Sequence, residues 1–266
     1  MCIRNCLFFL ATLLAARHSL AQQRLTVLPQ FPERGQQVNI VWHPDSPELV
    51  RQNTEGVQLV FTYSDLYNLP YRMEMQPRGK EWTASFTIPS YGTYATFYLQ
   101  AGDRKERPGP DSLYGLNIYQ DHRLIENSYL YRAYSLPSQM GKSPDLAAKQ
   151  AELFEEELQH YPENYEARIR LLKYRINTAA MEAEKQSLLD SAHAVIARKF
   201  LTDPGNMGVL NRVTMAYLIL GENSRLDSIR DVVVNRYPAS PAGIELRAGR
   251  ISGETDTSKR FDLLNA

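Results

Sequence analysis

The chain has 266 residues, with 30 Lys+Arg against 30 Asp+Glu, so it offers no basic field to attract nucleic-acid phosphates or anionic lipid. A hydrophobic content of 43% with 16 tyrosines excludes a disordered chain and describes an ordinary globular core. The two cysteines, Cys2 and Cys6, both lie at the extreme amino end, which removes disulfides and most thiol chemistry from everything after them.

Residues 1–21 read as a secretory signal. Arg4 supplies a positive start, Leu7 to Ala16 an apolar run, and Ser19-Leu20-Ala21 a small-x-small site with cleavage expected after Ala21. The run is about half of the roughly 20 residues a spanning helix needs, and Arg17 and His18 close it, so no membrane span is expected once the signal is cut. No cysteine stands at the cleavage position to take a lipid, and Asn-x-Ser/Thr acceptors are absent. The processed protein is expected to be periplasmic or secreted.

Residues 22–125 alternate with a period of two. Leu25 to Leu28 form a first candidate strand. Val38, Ile40 and Trp42 follow, then Val57, Leu59, Phe61 and Tyr63, then Tyr71, Met73 and Met75. Trp82, Ala84, Phe86 and Ile88 alternate cleanly with Glu81, Thr83, Ser85 and Thr87; Phe97 with Leu99 and Leu116 with Ile118 complete the set. Turn residues separate them at Pro44-Asp45, Asn68-Leu69-Pro70, Pro77-Arg78-Gly79, Pro89-Ser90 and Arg107-Pro108-Gly109-Pro110. About seven short strands with one apolar face each fit an immunoglobulin-like antiparallel β-sandwich. Residues 126–144 read as a linker stapled down by Tyr129, Tyr131 and Tyr134.

From 145 to 253 the period is near 3.6. Leu146, Leu153, Phe154, Leu158 and Tyr161 share a stripe that ends at Pro162. Further helices carry Tyr165, Ile169, Leu172 and Ile176; then Leu188, Ala192, Val195, Ile196 and Phe200; then Val209, Leu210, Val213, Tyr217 and Leu220, closing at Gly221. Leu226, Ile229, Val233 and Tyr237 form another, and Pro241 to Arg250 a shorter last one. Residues 254–266 read as a loose tail that Phe261, Leu263 and Leu264 could dock.

The punctuation repeats. Tyr161-Pro162 and Tyr237-Pro238 close two helices alike, and Pro204 precedes Pro238 by 34 residues, the period of tetratricopeptide units. Leu210, Val213, Tyr217 and Pro238 resemble that family's pattern, whereas Thr214, Leu226 and Arg230 depart from it. The longer interval from Pro162 to Pro204 is expected to hold an extended turn around Asn177 to Glu182. Stacked hairpins would leave a concave surface for peptides; a plain helical bundle would satisfy the same stripes.

The order of parts resembles something larger. An exported chain with the Gly35-Gln36-Gln37-Val38-Asn39-Ile40 opening, the Trp82-Thr83-Ala84-Ser85-Phe86-Thr87-Ile88-Pro89 strand and Tyr-Pro-punctuated helices is similar to the amino-terminal accessory region of periplasmic thioredoxin-fold disulfide reductases. In that family the catalytic thioredoxin domain follows and carries Cys-x-x-Cys. No Cys-x-x-Cys occurs in this chain, so the resemblance implies the accessory architecture and no redox residue.

Other chemistry is sparse. Met140-Gly141-Lys142-Ser143 ends like a phosphate loop, yet Leu136 stands where its first glycine belongs and Pro144 follows. Gly-x-Ser-x-Gly and His-Glu-x-x-His are absent. His43, His122, His160 and His193 show no ligand spacing, so no metal and no cofactor is expected. Asp103 and Asp111 flank a loop too basic for calcium. Glu155, Glu156 and Glu157 read as the solvated face of a helix.

The aromatic residues of the sandwich carry the remaining signal. If Phe97 and Leu99 point inward, Tyr94, Tyr98 and Tyr119 point outward, with Tyr91 in the preceding turn. Such a row could be a seam hidden against the first helices, a protein contact or a glycan platform. The expected function is that of a non-catalytic, exported cell-envelope protein that binds proteins or peptides. The alternatives are a carbohydrate-binding accessory module for polysaccharide, and a detached accessory half that docks a separate thioredoxin-fold protein. A hydrolase without a recognisable motif would need a deep pocket with paired carboxylates or histidines.

Overall fold

The computed structural model describes residues 24–44, 56–66 and 72–265; the signal segment, the Asn68-Leu69-Pro70 turn and Tyr71 lie outside them. Antiparallel β-sheets come first and a helical array follows. The strands are β1 (Leu25–Leu28), β2 (Gln37–Trp42), β3 (Gln58–Ser64), β4 (Arg72–Glu74), β5 (Gln76–Arg78), β6 (Glu81–Thr87), β7 (Tyr94–Ala101), β8 (Arg104–Glu106), β9 (Tyr114–Asn117), β10 (Tyr119–Gln120) and β11 (Arg123–Leu124).

The two large sheets run β1-β2-β6-β5 and β4-β3-β7, the latter with β8 and β9 both on the far side of β7, while β10 and β11 form a small sheet of their own. Register matches the alternation. Val38, Ile40 and Trp42 face Phe86, Ala84 and Trp82 across β2 and β6, while Leu59 and Phe61 face Leu99 and Phe97 across β3 and β7. These side chains share one core, and Phe61 meets Phe86 edge to face at 5.5 Å, joining the two sheets. β8 pairs with the end of β7 and β9 with its beginning. Pro108 and Pro110 lie between them, and a proline nitrogen has no hydrogen to donate, so one continuous edge strand cannot form there.

Residues 126–144 are not a linker. They carry helix α1 (Ser128–Met140), which packs across the face of β3 and β7 that points away from the core. Pro137 lies inside α1, and the Ala133 carbonyl that it leaves without a backbone donor accepts instead from Gln150 Nε2 at 3.0 Å. Gln150 belongs to α2 (Leu146–His160). Tyr129 stacks on His160 at 5.4 Å and Tyr134 meets Phe154 at 6.4 Å, so the tyrosines expected to staple a linker clip α1 to α2.

The strongest link between these helices is Glu157. Asn127, the residue before α1, is left-handed at φ 73° and makes no side-chain cap. The Glu157 carboxylate accepts from the N–H of Asn127 at 2.6 Å and of Tyr129 at 3.1 Å, satisfying donors that a helix start leaves unpaired. Glu157 has no exposure at all, which corrects the reading of Glu155-Glu156-Glu157 as one solvated face. Residues three apart share a side of a helix, and Glu157 falls on the buried side of α2 with Ala151 and Phe154.

A first compact unit therefore runs to Tyr161 and a second begins at Pro162, later than the boundary expected from the change of period. The second unit consists of α3 (Tyr165–Thr178), α4 (Glu182–Leu201), α5 (Met207–Leu220), α6 (Ser224–Arg236), α7 (Pro241–Gly253) and α8 (Thr257–Asn265). Short loops make three hairpins: α3 with α4, α5 with α6, α7 with α8. The expected tail at 254–266 thus supplies the last helix. The expected extended turn after Asn177 is absent; the long interval between Pro162 and Pro204 arises because α4 has 20 residues where α6 has 13.

Each hairpin opens with the same device. Asn164 accepts from the N–H of Ala167, Asn206 from Val209 and Ser240 from Gly243, each two residues after a proline. Gly221 closes α5 at φ 85°, a left-handed conformation that the sequence predicts for it. Ile169, Ala192, Ile196, Val213 and Ala216 form the main core of the array, continued by Leu210, Val233 and Ala242.

Replacing Glu157 by alanine is expected to lower the unfolding free energy by about 3 kcal/mol, because two backbone N–H groups at the helix start lose a buried, charged acceptor. Replacing the exposed Glu156 is expected to change it by less than about 0.5 kcal/mol. Denaturant titration of both variants checks the contrast.

Candidate functional site

The four candidate tyrosines, three placed outward by alternation and Tyr91 in the preceding turn, do not form an open row. Tyr94 does point away from the core, but α1 covers that face and leaves it 4% exposed. Its phenol lies beside Ser135 and Arg132 of α1, and Gly115 makes room for it on β9, where any side chain would begin 2.9 Å from the phenol oxygen. An open platform that includes Tyr94 is therefore excluded. Tyr98, four residues along the strand, is half-buried with Lys105 Nζ 5.0 Å from its ring centre. Tyr91 is exposed in its turn, and Tyr119 packs edge-on against Phe31 at 5.1 Å on a separate hairpin.

A polar cleft of about 410 Å³ opens beside Tyr94, with Asp111, Arg132, Gln139 and Lys149 in its lining. Its deep groups are already engaged: Gln139 accepts from the N–H of Leu113 at 3.0 Å and donates to Ser135 at 2.8 Å. The network holds α1 to the edge of the sheet.

In the second unit the informative element is α5. Leu210, Val213, Ala216 and Leu220 are buried against the neighbouring helices. Gly208, Asn211, Met215 and Leu218 are all exposed, and their spacings of three, four and three residues place them in one stripe. Met215 is 51% and Leu218 46% exposed; Ile244 on α7 reaches 58%. The first helices of successive hairpins are neighbours, α3 with α5 and α5 with α7, so the stripe sits on the middle member of a row. Alternation and helical period locate the buried stripe from sequence; the exposed one is its complement, with two large apolar residues where charge would be ordinary.

The row is braced from behind. Lys173 Nζ donates to the Leu220 carbonyl at 3.1 Å, completing the end of α5. His193 Nε2 lies 2.5 Å from Glu222 Oε2, tying α4 to the turn after α5, with Tyr217 packed 6.3 Å from the imidazole. Among the described residues no group of three His, Cys, Asp or Glu is placed to hold a metal, and no helix is long and apolar enough to cross a membrane.

No protein-family model matches the chain, and no curated protein matches it. A solved polysaccharide lyase is similar with a TM-score of 0.25 and 13% identity. The match covers 94% of this chain and 48% of the lyase, so the chain spans about half the length of the structure it matches. A score of that size does not establish a common fold.

Burial pushes the phenols of Tyr94, Tyr129, Tyr161, Tyr165 and Tyr217 above their ordinary value of 10.0, with the nearby Glu156 carboxylate adding to the effect at Tyr129. The phenolate is the charged form, so the folded chain keeps these protons to higher pH than the unfolded chain does. Stability is expected to be unaffected by these groups below pH 10 and to fall as pH rises above it. Phenolate absorbance and circular dichroism followed together in an alkaline titration should change in one cooperative step.

Proposed function

We propose that this chain is a non-catalytic exported protein of the cell envelope that grips extended segments of partner proteins. On this reading the first unit is an immunoglobulin-like sandwich and the second a tetratricopeptide-like array. The strand order β1-β2-β6-β5 facing β4-β3-β7 with β8 and β9 supports the first, since it has the succession of sheets found in immunoglobulin domains. The three hairpins, each opened by Pro-x-Asn or Pro-x-Ser, support the second.

The observation that carries the proposal is the exposed stripe of Met215 and Leu218 on the middle helix of the row. Two large apolar side chains one turn apart, bordered by Asn211 and Arg212, can take alternate apolar side chains of a bound segment while the flanking polar groups bond its backbone. The buried stripe behind them is fixed by capped helices, so the surface is preorganised. The residue chemistry around it supplies grip rather than a reaction.

Selection of a random peptide library on the purified chain tests this. Enriched peptides are expected to carry paired apolar residues, to compete with one another, and to bind Met215→Asp and Leu218→Asp variants at least about tenfold more weakly. No enrichment, or binding indifferent to both substitutions, would remove the helical row as the partner surface.

A further inference from the structure

A second surface lies at the edge of the first unit, where residues 29–37 meet the β10–β11 hairpin. It is an open cleft of about 510 Å³, within the range of about 300–1,000 Å³ usual for ligand sites. Phe31 forms its apolar wall and is 38% exposed. The rings of Tyr119 and His122 stand nearly at right angles to the Phe31 ring, with centres 5.1 Å and 5.2 Å away. The wall is held in place: the Pro32 carbonyl accepts from the N–H of Tyr119 at 2.8 Å, and Gln36 Oε1 accepts from the N–H of Glu33 at 3.0 Å.

His122 reaches the cleft through a turn that the backbone does not favour. The two-residue connection between β10 and β11 puts both Asp121, φ 51°, and His122, φ 61°, in the left-handed region. Glycine suits the second position of such a turn, and a side chain there strains it. The strained residue is the one whose imidazole stands beside an exposed phenyl ring.

The polar lining has an equally specific character. The side-chain amides of Gln30 and Gln37, the Glu33 carboxylate and the His122 ring nitrogens have no hydrogen-bond partner among the described residues. No lysine or arginine lines the cleft, so it lacks the charge that a phosphate or carboxylate ligand needs. Amides, a carboxylate and an imidazole together both donate and accept, as a set of hydroxyl groups requires, while a phenyl ring takes a C–H face. We propose that this cleft binds a neutral saccharide, Phe31 stacking on a pyranose ring and Gln30, Glu33, Gln37 and His122 bonding its hydroxyls. This site is independent of the α5 stripe.

Affinity electrophoresis of the purified chain in gels containing soluble neutral polysaccharides, with uronate-bearing polymers as the charged comparison, tests the proposal. At least one neutral polymer is expected to retard the chain, and Phe31→Ala and His122→Gly to weaken that retardation about tenfold or more. His122→Gly also relaxes the turn, so its melting temperature should equal or exceed that of the parent, which separates lost binding from lost fold. Leu218→Asp should retain full binding. Absence of retardation by every neutral polymer, retardation only by the charged ones, or retardation unchanged in His122→Gly would overturn the assignment.

Discussion

A carboxylate with no solvent exposure, held by the first N–H groups of a helix thirty residues earlier, organises the first unit. Glu157 is costly to bury alone, and the two backbone donors at Asn127 and Tyr129 offset that cost while the positive end of the helix faces the negative charge. Because the contact is made from α2 to the start of α1, it fixes where α1 begins. From that point the helix lies across β3 and β7, and Val60, Tyr94 and Thr96, all on the face turned from the core, become interior. The Thr62 and Thr96 hydroxyls, which would otherwise face water, bond each other at 3.0 Å.

Closing that face decides which surfaces remain for function. A bare sheet with a tyrosine row could serve as a platform; a sheet under a helix cannot. In the first unit an open surface lies at the edge, where the Phe31 wall and a strained hairpin stand together. In the second unit it is the outward side of α5, carried by helices whose starts are capped at Asn164, Asn206 and Ser240. Rigid scaffolds with apolar residues left in water are the usual physical form of recognition surfaces, because ordering has been completed before the partner arrives.

Much of this was legible in the residues. Alternation at Val38, Ile40 and Trp42 and at Trp82, Ala84 and Phe86 names the core, and the 3.6 period names the buried side of α3 to α6, whereas α8 reads as a loose tail. The phase of Tyr94 is also correct, but alternation reports which face a side chain occupies and not what covers that face. The covering helix is hard to see because Pro137, Ser135 and Ser138 interrupt its propensity, and the donor that compensates for Pro137 comes from Gln150 on another helix. Glu157 left a trace: it falls three residues after Phe154 and four before Tyr161, on the apolar stripe of α2. The Pro-x-Asn/Ser repeat at 162–164, 204–206 and 238–240 was equally visible, and the cap two residues after each proline marks hairpin starts better than the Tyr-Pro pairs. Phe31 and His122 are 91 positions apart, and only the hairpin that carries Tyr119 brings them together.

Amide hydrogen exchange resolved by residue addresses the role of α1 most directly. If Glu157 makes this helix an integral part of the first unit, the Asn127 and Tyr129 amides should exchange as slowly as those of β7, and both sets should open together when denaturant is added. Exchange of those two amides at the rate of a frayed helix end, with β7 still protected, would contradict it.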